Sequence, residues 1–159
     1  MIKMFANSGG AITYTAEELC ASLNTFANNI NYIMAGIGEE LNVTHATNSL
    51  KVTLKTGKAI ICGRPVDVQT NEEFTLSASQ QNVYLVLRAD ISRPSGQECF
   101  LTYVTESQLK SENINGSGTM SDLKLAKLTT SSTGVSSYTD LRVIKAKAGG
   151  FEYEVVKNL

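Results

Sequence analysis

The residue types that most often carry catalysis are sparse in this sequence of 159 residues. His45 is the single histidine, so a Ser–His–Asp or Cys–His relay would have to use it as the base. The chain has no G-x-S-x-G motif, the pattern that places a nucleophilic serine on a sharp turn. We therefore expect His45 to be a surface or turn residue. The sequence predicts no catalytic residues and no enzyme activity, and a hydrolase that uses His45 is the least favoured alternative.

The three cysteines, Cys20, Cys62 and Cys99, are the remaining candidates for site chemistry. Together with His45 they could formally bind zinc, but structural zinc sites usually contain closely spaced C-x₂₋₄-C pairs, which are absent here. An odd number of widely spaced cysteines also argues against a disulfide framework. We expect no metal ligands, no cofactor and no cofactor-binding residues, and we interpret the cysteines as small buried apolar side chains in a reducing compartment.

The charge of the chain indicates which partners to expect. Fourteen basic and fifteen acidic residues give a net charge of -1, so no basic face for nucleic acid is predicted. No apolar run approaches the roughly 18 residues that a membrane-spanning helix needs, and the N-terminus does not resemble a secretory signal. We expect a protein folded in a cytosol, with neither nucleic acid nor membrane as a partner.

A helix is predicted to start at Thr15, because Thr15 and Glu18 have the spacing of a capping box. After it, apolar residues recur at alternating steps of four and three, the spacing of an a/d heptad seam. The seam consists of Leu19, Leu23, Phe26, Ile30, Ile33 and Ile37, and Gly36 and Gly38 end the pattern. Uncharged flanking positions and isoleucine at both a and d favour three helices. Two alternatives remain open: a helix seam at a threefold axis, or a helix packed on its own sheet.

From Leu41 onward the apolar period changes from about 3.6 to 2, which is typical of half-buried strands. Residues 83–88 are nearly all apolar and are predicted to be the central strand. The fold class predicted is mainly β, an antiparallel β-sandwich or barrel preceded by one N-terminal α-helix. Three parts are predicted: an extended arm and oligomerisation helix over 1–40, a β-sandwich over 41–145 and a C-terminal tail over 146–159.

Three arginines lie close in sequence to three aspartates at predicted strand ends, and such pairs can pin loops or bridge protomers. These residues are Arg64, Arg88, Arg142, Asp67, Asp90 and Asp140. Solvated strand ends are an equally good interpretation of each pair. A binding module that recognises surface glycans through the polar loops 105–121 and 131–137 is the alternative function that the loops suggest.

Several motifs of the chain resemble tail and baseplate structural proteins of phages that infect Gram-positive bacteria. Residues 56–66, TGKAIICGRPV, resemble a G-x-A-x-I-x-G-R segment of that family. The counterparts of its later motifs are residues 86–90, the Leu-Ala strand 125–128 and the Thr-Asp-x-Arg element 139–142. The similarity extends over about residues 15–142 and rests on the order and spacing of these motifs.

This resemblance implies a virion component, often a homotrimer, that links a tail, baseplate or neck appendage to fibres or receptor-binding parts. Its partners would be copies of itself and other phage tail or baseplate proteins, with a host surface glycan as a further possibility. The resemblance implies no catalytic residues. It also implies a location in the virion after synthesis in the cytoplasm of the host bacterium. Longer relatives carry a distal receptor-binding region, which we do not expect in a chain that stops at Leu159.

Overall fold

A computed structural model describes residues 15–26 and 28–145, so the predicted arm 1–14 and tail 146–159 lie outside the described residues. The fold is mainly β with one helix near the N-terminus and antiparallel sheets, which confirms the predicted class; the strands of the described residues form no closed barrel. The helix is α1 (Ala16–Phe26). The strands are β1 (Tyr32–Met34), β2 (Val43–His45), β3 (Lys51–Leu54), β4 (Gly57–Ile61), β5 (Arg64–Val68), β6 (Glu72–Thr75), β7 (Val83–Asp90), β8 (Cys99–Val104), β9 (Met120–Thr130), β10 (Val135–Asp140) and β11 (Ile144–Lys145).

The described strands form three sheets. Their orders are β11-β1-β4-β5, β2-β3-β6 and β10-β9-β7-β8. All pairings are antiparallel except that of β1 with β11, which is parallel. One apolar core receives residues from all three sheets, including Ile33, Val52 and Leu85. Each sheet therefore covers one side of a shared interior.

Residues 83–87 of β7 are apolar, and both faces of the strand are buried there. Val83, Leu85 and Leu87 point into the main core. Tyr84 and Val86 belong to a second, smaller apolar cluster on the other face of the sheet. A run without alternation is the expected pattern for a strand covered on both sides. The prediction that this segment is an inner strand is confirmed, since β7 lies between β9 and β8.

The helix is shorter than the heptad spacing predicted. It ends at Phe26, and Asn28 and Asn29 follow with φ of 56° and 55°. Asparagine tolerates this left-handed conformation, which commonly terminates helices. Ile33 lies in β1, fully buried in the protein's own core, and Ile37 lies in the following turn. The six seam residues therefore do not share one helix face, and the predicted continuous seam is wrong beyond residue 26.

The boundaries of two other predicted segments also change. β1 belongs to the same sheet as β4, although residues 1–40 were predicted to form an arm and helix separate from the sandwich. β10 begins at Val135, within the last three residues of the predicted loop 131–137, and extends the strand order beyond β9. After β10, Arg142 bonds to Asp140, and the last described strand, β11, begins at Ile144.

Candidate functional site

Helix α1 rests on the tight turn between β4 and β5. Gly63 in this turn has a φ of +76°, and Cys62 before it has a φ of +48°. A Cβ atom at Gly63 would overlap the carbonyl oxygen of Cys20 and lie 2.7 Å from the backbone nitrogen of Asn24. Only glycine satisfies both the left-handed φ and this close approach without strain. The glycine of the G-R motif is therefore the point at which the helix contacts the sheet.

Arg64, the next residue, fastens three segments to one another. Its Nη2 lies 3.8 Å from the Glu17 carboxylate in the first turn of α1. Its Nε donates to Asn115 Oδ1 at 3.2 Å, and Asn115 Nδ2 donates to the Cys62 carbonyl at 2.6 Å. The predicted neighbour Asp67 pairs instead with Lys58, at 3.3 Å. Helix, turn and the loop around Asn115 are thus held together at Arg64.

The buried residue of α1 on the side of the sheet is polar, whereas two of its leucines are exposed. Asn24 is buried, with 6 % of its surface exposed, and its Nδ2 donates to Asn29 Oδ1 at 2.9 Å. Leu19 and Leu23, one turn apart, are 45 % and 52 % exposed. An amphipathic helix of a globular protein normally turns its apolar stripe toward the core. Here the orientation is the reverse, so the leucine side remains available for a partner.

Further exposed apolar side chains lie beyond the end of the helix. Ile30 and Val143 are 43 % and 45 % exposed, and both line a cleft of about 550 Å³ together with Leu141. Asn24 lines the same cleft. Its Oδ1 is buried and has no hydrogen-bond partner among the residues described. The apolar surface around the helix is thus not confined to Leu19 and Leu23.

A buried ion pair crosses the sheet between β7 and β9. Arg88 and Asp122 face each other in the strand register, and two bonds of 2.7 and 2.8 Å join the guanidinium to the carboxylate. The hydrogen bond to Asp122 raises the pKa of Arg88. Asp122 also accepts from the Lys110 backbone nitrogen at 2.8 Å. The pair pins the preceding loop to the sheet, whereas the predicted neighbour Asp90 accepts from Ser92 instead.

The third arginine pairs with its predicted aspartate. Arg142 Nη2 lies 2.7 Å from Asp140 Oδ2, and Nη1 donates to the Glu40 carbonyl at 2.8 Å. Hydrogen bonding from Arg142 lowers the pKa of Asp140. The pair fixes the end of β10 to the turn that follows β1. Like Arg64 and Arg88, it holds segments of the fold together.

The residues considered for chemistry lie apart from one another. His45 is exposed in β2, with its ring 5.6 Å from that of Tyr138. Cys20, Cys62 and Cys99 are free thiols, but the prediction that all three are buried holds for Cys62 alone, since Cys20 is half-buried and Cys99 is exposed. Within residues 15–26 and 28–145, no three His, Cys, Asp or Glu side chains are grouped to hold a metal ion. Among the same residues, no helix has the length and apolar character to cross a bilayer.

The loops considered for glycan binding are internally bonded. In the loop after β8, the Glu112 carboxylate accepts from the backbone nitrogens of Thr119 and Met120, and these bonds lower the pKa of Glu112. In the turn after β9, the Ser131 hydroxyl bonds to the Gly134 backbone. The sequence matches no protein-family model and no curated protein. The resemblance to phage tail proteins therefore stays a prediction.

Proposed function

We propose that this chain is a structural protein that assembles with copies of itself, as a homotrimer, through the exposed leucine side of α1. The observation that carries the proposal is the reversed orientation of the helix, with Asn24 inside and Leu19 and Leu23 outside. Exposed apolar patches on a folded protein commonly mark surfaces that bind other proteins. Identical subunits that present the same patch can bury it around a symmetry axis.

The two exposed leucines of α1 are too small a surface to hold subunits together by themselves, so further apolar side chains must take part. Complete burial of a leucine side chain contributes about 1.5–3 kcal/mol, so Leu19 and Leu23, already half-buried, would each contribute about 1 kcal/mol on association. Two leucines are a small interface. Ile30 and Val143 offer additional exposed apolar surface beyond the helix end, and no charged side chain lies on the Leu19–Leu23 stripe.

We place this assembly in a phage tail, baseplate or neck appendage on the strength of the motif resemblance. Contacts made by the motif residues support a structural role for them. Gly63 and Arg64, from the G-R segment, seat the helix on the sheet. Asp140 and Arg142, from the Thr-Asp-x-Arg element, hold β10 to the turn near Glu40. Neither motif carries an arrangement for bond cleavage, and both position elements of the fold.

The assembly proposal is tested with Leu23→Asp, which places a charge on the apolar side of the helix. We expect the wild-type protein to be a trimer by multi-angle light scattering and Leu23→Asp to be a monomer, because burying an unpaired carboxylate is costly. Thr25→Asp is the matched control, since Thr25 is exposed on the same helix outside the leucine stripe. A monomeric wild type, or a Leu23→Asp variant with unchanged mass, would contradict the proposal.

The virion placement is tested separately. We expect the protein in phage or tail-like particles purified from the bacterium that carries the gene, detected by mass spectrometry in a fixed ratio to the tail proteins. Washing the particles with high salt should leave that ratio unchanged, since a structural subunit is held by extensive contacts. Particles that lack the protein, or that lose it on washing, would place the assembly elsewhere.

A further inference from the structure

The cleft at the end of α1 has the size of a small-molecule site. Its volume of about 550 Å³ lies within the range of roughly 300–1,000 Å³ that is typical of ligand pockets. One side of the cleft, the apolar wall, consists of Ile30, Leu141 and Val143. Asn24 and Ser121, which are both buried, belong to its polar lining. The cleft thus combines apolar surface with polar groups that are shielded from bulk water.

Asn24 contributes a hydrogen-bond acceptor that the fold leaves unpaired. The residue lines the cleft, and 6 % of its surface is exposed. Its Nδ2 donates to Asn29 Oδ1 at 2.9 Å, but its Oδ1 is buried and has no partner among the described residues. An unpaired buried acceptor costs free energy, and nearly all such atoms in native proteins are paired. The cleft therefore favours a ligand that brings an N–H or O–H donor.

A second asparagine of the cleft, Asn31, is fully paired. Its Nδ2 donates to Ser121 Oγ and to the Asp122 carbonyl, both at 3.0 Å, and its Oδ1 accepts from the Cys62 nitrogen at 2.9 Å. Asn24 differs because the side chain bonded to it, that of Asn29, is exposed. An exposed side chain can move aside, so an incoming donor can reach Asn24 Oδ1.

The rim of the cleft offers hydrogen-bond donors. Asn29 and Asn113 each accept a hydrogen bond at Oδ1, whereas their Nδ2 groups find no acceptor among the described residues. Lys124 adds an ammonium group to the same rim. A ligand with a carbonyl or hydroxyl oxygen close to its own donor would pair with these groups.

The charges around the cleft favour a neutral ligand. Asp122 is offset by Arg88, whose guanidinium bonds to it at 2.7 and 2.8 Å. The Glu112 carboxylate accepts from backbone nitrogens of its own loop at 2.7 and 3.1 Å. Glu112 and Lys124 are the other charged residues of the described lining, and their charges have opposite signs. A charged ligand would be attracted by one of them and repelled by the other.

An extended peptide strand is a poorer occupant, because both edges of β9 are already paired where it lines the cleft. Ser121 lies opposite β7 on one side and forms a bridge with Ser111 on the other. The backbone nitrogen of the next residue, Asp122, donates to the Lys110 carbonyl at 2.9 Å. The backbone pairing that gives strand addition its affinity therefore has no free partner at this place.

We propose that this cleft binds a small neutral ligand with an acetamido group, which is a secondary amide whose carbonyl carbon carries a methyl group. The N–H of this group donates to Asn24 Oδ1. Its carbonyl oxygen accepts from a rim amide such as Asn113 Nδ2, and its methyl group packs on the apolar wall. An N-acetylated sugar and an N-acetylated amino acid both supply this chemistry. Such binding goes beyond the proposed assembly, which requires no ligand.

The site is tested by ligand-observed NMR titration of the full-length protein with N-acetylglucosamine, N-acetylalanine methylamide and glucose. We expect an acetylated probe to bind with a dissociation constant on the order of 1 mM, which is common for ligands of this size. Its acetyl methyl group should receive the largest saturation transfer, because it packs on the apolar wall. The acetylated probe that binds more tightly identifies the source of the group. Equal binding of glucose, or no binding of either acetylated probe, would overturn the proposal.

Asn24→Leu removes the unpaired oxygen at nearly constant side-chain size. We expect this variant to bind the acetylated probe about tenfold more weakly, since one hydrogen bond to a buried group is lost. Asn42→Leu is the matched control, because Asn42 is half-buried and lies outside the cleft. Its affinity should equal that of the wild type. A folded Asn24→Leu variant with unchanged affinity would overturn the proposal.

Val143→Ser tests the apolar wall at an exposed position, where the substitution leaves folding intact. We expect about a fourfold loss of affinity, the effect of removing one buried methyl group from the contact. This readout does not depend on whether Asn24→Leu folds. Unchanged binding by Val143→Ser would show that the acetyl methyl group does not lie on this wall, against the proposal.

Ile30 and Val143 also belong to the surface proposed for assembly, so the titrations are repeated with Leu23→Asp. We expect this variant to bind the acetylated probe as tightly as the wild type, because the described lining residues belong to one chain. Loss of binding in Leu23→Asp would overturn the assignment of the site to a single chain. A monomeric wild type that binds the probe would contradict the assembly and support the ligand site.

Discussion

Helix α1 and strand β7 both carry apolar residues, but the two elements use them in opposite ways. In β7 the side chains of Val83 to Leu87 are buried on both faces, so its apolar character is consumed by folding. In α1 the buried position is Asn24, while Leu19 and Leu23 face outward. Apolar content alone therefore does not tell whether an element serves the core or a partner. The decisive feature is which side of the element makes the backbone contact, here with Gly63.

The largest difference between the two regions is expected in the stability lost when the ion pair of each region is removed. Asp122→Ala would leave Arg88 without its carboxylate in a site where the Asp122 side chain is 1 % exposed. Removing one partner of a buried pair costs about 3–5 kcal/mol. Glu17→Ala removes the helix pair, in which Glu17 is 57 % exposed, and should change stability little. Urea unfolding measures both.

Equal losses in those two variants would contradict the comparison. They would mean that the contact between α1 and the sheet contributes as much to stability as the ion pair between β7 and β9. Asp122→Asn is the accompanying control, since it keeps the size of the side chain and removes the charge.

Two leucine truncations, one in each element, distinguish a contribution to folding from a contribution to association. Leu85→Ala removes a fully buried side chain from β7 and should lower the free energy of unfolding by about 2–5 kcal/mol at every protein concentration. Leu23→Ala should have a smaller effect that grows with protein concentration, because association adds to stability by mass action. Thermal unfolding over a hundredfold range of concentration separates the two. A Leu23→Ala effect independent of concentration would assign Leu23 to the fold itself.

Much of the β architecture follows from sequence because local period and burial agree. β3 and β4 alternate as half-buried strands do, and β7 has the continuous apolar run of an inner strand. The start of the helix is equally local. The Glu18 carboxylate accepts from the Thr15 nitrogen at 2.8 Å, and the Thr15 hydroxyl accepts from the Glu18 nitrogen at 3.2 Å, which confirms the predicted capping box.

The end of the helix required information that spacing does not contain. Apolar steps of four and three continue through Ile30 and Ile33, although the chain has already turned at Asn28 and Asn29. The pair of asparagines was the available signal for termination. The partner of Arg88 could not be predicted from nearby residues either. Arg88 pairs with Asp122, which is 34 residues away, because the antiparallel register places them opposite each other.

The seat of α1 on Gly63 has a consequence for symmetry. Because no side chain intervenes, the separation between helix and sheet is set by contact with a backbone carbonyl group. Backbone atoms have no rotamers, so in the proposed assembly every subunit would hold its helix at one height and one tilt. A closed ring of identical subunits needs such uniformity, since an angular error at one contact would be repeated at the next and prevent closure.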